Sequence, residues 1–241
     1  MRDENIDQQT SKQFSIRAIV GTWLASYGIA LASTTAILGL TGNIEMQIGR
    51  EPKWFLGVSA VALWGSFVVG LLVVSRRLGS GNFSQDFFLR FRRVDIVGIP
   101  IGVLSQLVLV GLVTWPFRVA FPETFAPDKV EKRARDLFDN AHGPWLFVLI
   151  VVVVLGAPLV EELVYRGFIH GGLRNRMNDV VALVVTAIWF AGVHLKLVEL
   201  PGLFAFALVL GICFHRTKRL GMSIVAHVAF NATGLLLVAF L

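Results

Sequence analysis

The sequence predicts an all-α fold: a polytopic integral membrane bundle of about seven transmembrane helices. Three observations carry that expectation. Apolar residues make up 55% of the chain and charged ones only 16%, against about 25% charge in a typical soluble domain. The mean hydropathy is +0.70. The apolar residues also fall into long runs, and the basic residues are gathered between them.

Each run can be justified in order. Ala18–Leu40, Trp54–Ser75 and Val94–Phe117 hold the ~20 mainly apolar residues that a spanning helix requires. Trp145–Val160 continues through Glu161, Glu162 and Arg166 to Leu173, as one long helix with polar groups inside it. Val180–His194 and Leu200–Phe214 are shorter spans, and Gly221–Leu241 closes the chain. Three regions follow: a polar cytoplasmic leader over 1–17, amino-terminal helices with interfacial loops over 18–144, and a polar-bearing membrane core over 145–241. The leader lacks a signal-peptide pattern, so the first span is expected to stay in place. Between spans, Asp128 to Ala141 carries Val130, Ala134, Leu137 and Phe138 at helical spacing, which predicts an amphipathic surface helix. Asn82–Arg93 mixes phenylalanines with arginines and suits an interfacial position. Cys213 is the only cysteine, which excludes an intrachain disulfide and a Cys-rich metal site.

The net charge of +6 does not point to nucleic acid, because Lys and Arg lie between apolar runs and form no patch with interleaved aromatics. They orient the chain instead. Arg76, Arg77, Arg90, Arg92, Arg93, Arg174, Arg176, Arg216, Lys218 and Arg219 fall on the face of the leader, while the loop from Arg118 to Arg135 is balanced by acids. The positive-inside rule then puts the amino terminus in the cytoplasm and, for seven spans, the carboxyl terminus outside. The expected location is a cell membrane, with the bilayer itself as a partner.

Ionisable groups within a span cost at least about 2.5–3.5 kcal/mol near its centre, so they face polar cavities and mark function. Three places in the second half break the apolar pattern. In Glu161-Glu162-Leu163-Val164-Tyr165-Arg166, Glu162 and Arg166 share a helix face and can pair. Glu161 points about 100° away from that face, unpaired and suited to accept a proton as a general base. Pro158, one turn earlier, removes a backbone bond and is expected to kink the helix. Phe190 and His194 share a second face, with Gly192 allowing close approach. His227 and Asn231 share a third, able to donate to one oxygen as an oxyanion site requires. At ~1.5 Å per residue, all three elements bring their polar groups to overlapping depths, one cavity's worth. His142 and His215 read as loop and helix-end residues, His170 as facing solvent or headgroups, and Gly167 with Gly171 as a helix-contact face.

Glu161-Glu162-xxx-Arg166, then Phe190-xxx-His194, then His227-xxx-Asn231, in this order on late spans, resemble the three motifs of the CAAX-protease and bacteriocin-processing (CPBP, or Abi) intramembrane peptidases. The resemblance covers Trp145 to Leu241. It implies an endopeptidase that hydrolyses membrane-associated polypeptides, of CAAX type or of bacteriocin or leader type. Glu161 with His194 would activate a water, His227 and Asn231 would stabilise the oxyanion, and Glu162, Arg166 and Phe190 would support the site. Glu161, His194 and His227 could also form a two-histidine, one-carboxylate zinc set, although no HExxH is present. The cut is expected near the cytoplasmic side, from which the cavity would be reached. A different class, a non-catalytic membrane interaction or immunity protein retaining the fold, is the alternative. A transporter would instead favour broken helices in both halves.

Overall fold

The computed structural model describes residues 14–45, 51–126, 129 and 135–240, and every regular element among them is helical. Six helices are long and apolar enough to cross a membrane: α1 (Ile16–Leu40), α2 (Phe55–Leu78), α3 (Arg93–Ala120), α4 (Pro144–Leu173), α6 (Leu200–Thr217) and α7 (Gly221–Phe240). Between α4 and α6 lies α5 (Asp179–Gly192), of 14 residues. At about 1.5 Å per residue it is ~21 Å long, short of the ~30 Å hydrocarbon core. Among the described residues, helices thus stand where the seven spans were expected, six of them long enough to cross and α5 shorter.

The boundaries have local causes. The Ser15 hydroxyl caps α1 by accepting from Ala18 N–H at 3.1 Å, and the Asn178 side chain caps α5 through Val180 N–H at 2.8 Å. Gly143 adopts φ 59° before Pro144 opens α4, where a proline's missing N–H costs nothing. Helix α5 ends at Gly192, two residues earlier than the hydrophobic run suggests, and Leu195 turns the chain at φ 53°.

Helix α4 is the centre of the bundle. Every residue from Glu162 to Leu173 is buried, while α1 packs on α2, α5 on α6, and α7 on the first half of α3. The α3–α7 contact is close because Gly98 and Gly102 face it; a Cβ at either would run into the Met222–Phe230 backbone. Outward-facing apolar residues such as Leu24, Leu31, Val61, Leu112 and Ile188 are exposed, as a lipid-covered surface requires.

Two expectations change, those for the Gly167–Gly171 face and for His170. Within the segment Asn82–Arg93, Phe87 is wholly buried, its ring against Phe14 and Phe168. The reason is Gly167, where a Cβ would meet the Phe87 carbonyl at 2.9 Å. Gly167 and Gly171 therefore admit the Phe87–Phe88 segment and not another span. His170, expected at solvent or headgroups, is 1% exposed and packs on Phe214. The expected helix from Asp128 to Ala141 lies partly outside the described residues, which show Lys129 and 135–139 as helical.

Candidate functional site

The site begins with an irregularity in α4. Between Ile150 and Gly156 the helix takes a π turn, in which Ala157 N–H reaches back five residues to the Val152 carbonyl. In that register the next carbonyl, Val153, would look to residue 158, and Pro158 has no N–H to give. The amide of Asn231 on α7 supplies it, Nδ2 donating to the Val153 oxygen at 2.7 Å. One N–H of Asn231 is therefore spent on the α4 backbone and one remains for other partners. The proline acts by freeing a carbonyl that a second helix then reads.

One turn later the two adjacent acids part company. The Glu161 side chain is 29% exposed to a cavity, whereas Glu162 is fully buried. Glu162 Oε1 accepts from Arg166 Nη1 at 2.9 Å, and Arg166 also donates to the Ala207 carbonyl at 3.1 Å. The guanidinium carbon lies 4.7 Å from the Phe190 ring centre, a cation–π contact. The same Glu162 oxygen meets His227 Nδ1 at 2.9 Å. A carboxylate only accepts, so Nδ1 carries the proton and a neutral His227 presents a bare Nε2. That nitrogen stands 3.8 Å from Glu161 Oε2, too far for a direct hydrogen bond.

His194 lies just beyond the end of α5. Its Nδ1 is 2.8 Å from the Phe190 carbonyl, which again fixes the proton on Nδ1 and leaves Nε2 free. Non-helical backbone at membrane depth is tolerated where it lines a cavity, and this one does. A cavity of about 500 Å³ is lined by Glu161, Phe190, His194, His227 and Asn231 among mostly apolar walls. Five of the seven residues singled out by sequence thus meet at one space, with Glu162 and Arg166 beneath it. Phe190 is the packing centre, its ring 5.2 Å from Tyr165, 5.0 Å from His194 and 5.9 Å from His227.

The cavity does not run toward the basic face. Its far walls include Leu56 at the start of α2, Leu137, Val198 before α6, and Leu235 near the end of α7. All belong to the ends opposite Arg76, Arg174 and Arg216. The expected approach from the leader's face is corrected accordingly: the polar groups line one space as foreseen, but that space extends to the other side.

A zinc set fits by atom type, since Glu161 and the two Nε2 atoms are all acceptors and His227 is backed by a carboxylate. It does not fit by position. Among the described residues, no three His, Cys, Asp or Glu side chains are placed to hold a metal ion.

Sequence reasoning missed the Glu162–His227 bond, which joins residues 65 apart. It also missed a second cavity of about 190 Å³ lined by Tyr27, Trp64, Tyr165, Glu161 and His194. Aromatics in apolar spans carry no signal that separates lining from packing.

Residues 143–233 match the family model described as type II CAAX prenyl endopeptidase Rce1-like. Over 91 residues the chain is 33% identical to the UPF0177 protein in the abiGi 5′ region of Lactococcus lactis subsp. cremoris, covering 36% of each chain. It is 30% identical over 84 residues to a candidate membrane peptidase, YdiL, of Bacillus subtilis (strain 168), covering 35% of this chain and 34% of that one. It is 24% identical over 142 residues to the membrane-embedded CAAX protease MroQ of Staphylococcus aureus (strain USA300), covering 56% and 53%. The matches thus span about a third to a half of the length of these curated relatives. No solved structure matches.

Proposed function

We propose that this chain, whose residues 143–233 match the type II CAAX prenyl endopeptidase Rce1-like model, is an intramembrane endopeptidase of the CPBP (CAAX protease and bacteriocin-processing) kind whose base is Glu161. The observation that carries the proposal is a half-open carboxylate, two imidazoles and an amide lining one cavity within the bundle. Glu161 and His194 are acceptors there, and a water molecule has the two O–H donors such a pair orients.

In the proposed reaction Glu161 takes a proton from that water as its oxygen bonds the scissile carbonyl carbon. The oxyanion that forms accepts from the remaining N–H of Asn231 and from Nε2 of a His227 that has taken up a second proton from solvent before the substrate binds, and that keeps it throughout. Glu162 behind Nδ1 offsets the imidazolium charge, as a buried carboxylate does for a catalytic histidine elsewhere. When the C–N bond breaks, the proton held by Glu161 passes to the leaving amine. No step runs through a metal. The substrate is a membrane-associated polypeptide, and the apolar walls of the cavity favour an apolar residue at the cut.

The test uses the full chain purified in detergent and a broad set of membrane-associated peptides, wild type beside Glu161→Gln. The wild type is expected to cut a subset, with kcat lower by about 10²–10⁴ in the variant. Equal cleavage by folded Glu161→Gln would end the reading of Glu161 as base. Removing metal with a chelator is expected to leave the rate within about twofold. A loss restored by zinc would reinstate the metal set.

A further inference from the structure

The smaller cavity is not needed to hold a polypeptide, yet polar groups stand on its wall, among them a buried tyrosine hydroxyl without a hydrogen bond among the described residues. It lies between α1, α2, α4 and the end of α5, and its walls are Leu63, Phe67, Val160, Val164 and Val193 around Tyr27 and Tyr165. Tyr165 is 3% exposed, and its hydroxyl, though beside the Tyr27 and Trp23 side chains, makes no hydrogen bond within 3.5 Å among the described residues. Behind the wall, Trp23 packs on Tyr27 with ring centres 4.5 Å apart. A buried hydroxyl left short of a well-made hydrogen bond costs about 1–3 kcal/mol, so the Tyr165 hydroxyl on the cavity wall points to a polar occupant. Glu161 and His194 line this cavity as well as the large one. The two spaces therefore meet at the carboxylate and the imidazole.

We propose that the smaller cavity is a water chamber, and that the Tyr165 hydroxyl positions water for delivery to Glu161 from the side away from the substrate. Hydrolysis consumes one water for each C–N bond broken, and in an apolar bundle a polypeptide filling the large cavity blocks resupply from that side. At about 190 Å³ the chamber has room for several waters at ~30 Å³ each. Tyr165 and Tyr27 offer hydroxyls that both donate and accept, the 2–4 polar partners an ordered water needs being completed by Glu161 and His194. Tyr165 is a positioning residue here, acting through the water and not on the substrate. Its catalytic part rests on Glu161 being the base proposed above; the presence of water does not.

The first measurement needs no substrate. In hydroxyl-radical footprinting of the full chain, buried side chains react only where water lies beside them. Tyr165 is expected to be modified about tenfold faster than Phe168 and Phe87, which are buried to the same degree. Val193→Phe, which fills the chamber from its half-buried edge, is expected to abolish the difference. Modification of Tyr165 no faster than of Phe168 would overturn the chamber. The second measurement is kinetic. With a substrate that wild type cuts and Glu161→Gln does not, Tyr165→Phe is expected to lower kcat about tenfold with KM unchanged and thermal stability unchanged. Unchanged kcat would overturn the delivery role while leaving the peptidase standing. If no substrate is cut, or Glu161→Gln cuts equally well, the peptidase reading fails and the footprint still decides whether the chamber holds water.

Discussion

Glu161 and Glu162 are neighbours in sequence with opposite fates, and the difference lies in what each can reach. Glu162 is fully buried and shared between Arg166 and His227. Replacing it by glutamine leaves the Arg166 charge buried without a counter-charge, which costs about 3–5 kcal/mol. We expect Glu162→Gln to lower the unfolding midpoint in a thermal scan, and Arg166→Met to do the same. The double variant, which removes both charges, should recover most of that loss. It should not recover activity, because His227 would still lack the carboxylate behind Nδ1. Recovery of both would mean that Glu162 serves only as the partner of Arg166. The pairing with Arg166 was legible in the sequence, since a spacing of four places the two on one face. The bond to His227 was not, because nothing local relates α4 to α7.

At the scale of the element, α4 owes its shape to Pro158. The sequence reads as one long helix with a kink at Pro158; the structure holds one helix from Pro144 to Leu173 and places π turns at Ile150–Gly156 and Glu162–His170. The difference arises because the unmade bond is replaced from outside, by Asn231 on the Val153 carbonyl. Pro158→Ala restores an N–H that competes for that carbonyl. It is therefore expected to raise stability by about 1 kcal/mol or more and to lower kcat about tenfold as Asn231 loses its anchor. A double-mutant cycle checks the cause: Asn231→Ala should destabilise the wild type more than it destabilises Pro158→Ala. Additive losses would show that the two residues do not share the Val153 oxygen. Helix α5 teaches a related point. Its run predicted a helix through His194, but Gly192 and the turn at Leu195 release the chain earlier. The His194 ring then takes the Phe190 carbonyl that a further helical turn would have used.

For the whole molecule, the meeting of the polar groups at one cavity was readable from their positions along the helices, whereas the direction of the cavity was not, because direction depends on which helix ends splay apart. That direction bears on substrate class. Basic residues predict that the loops after α2, α4 and α6 face the cytoplasm, and the large cavity extends toward the opposite ends. If that orientation holds, substrates enter from the non-cytoplasmic side, which suits leader or exported segments better than a lipidated carboxyl terminus displayed at the cytoplasmic leaflet. The orientation can be read in intact cells with a membrane-impermeant maleimide, in a Cys213→Ser background with one added cysteine. Thr124→Cys, after α3, is expected to label without permeabilisation, and Arg216→Cys, at the end of α6, only after it. The reverse pattern would place the cavity's far walls at the cytoplasm. The balanced charges of the loop after Arg118 would then have misled the count, and prenylated carboxyl termini would become the substrates to test first.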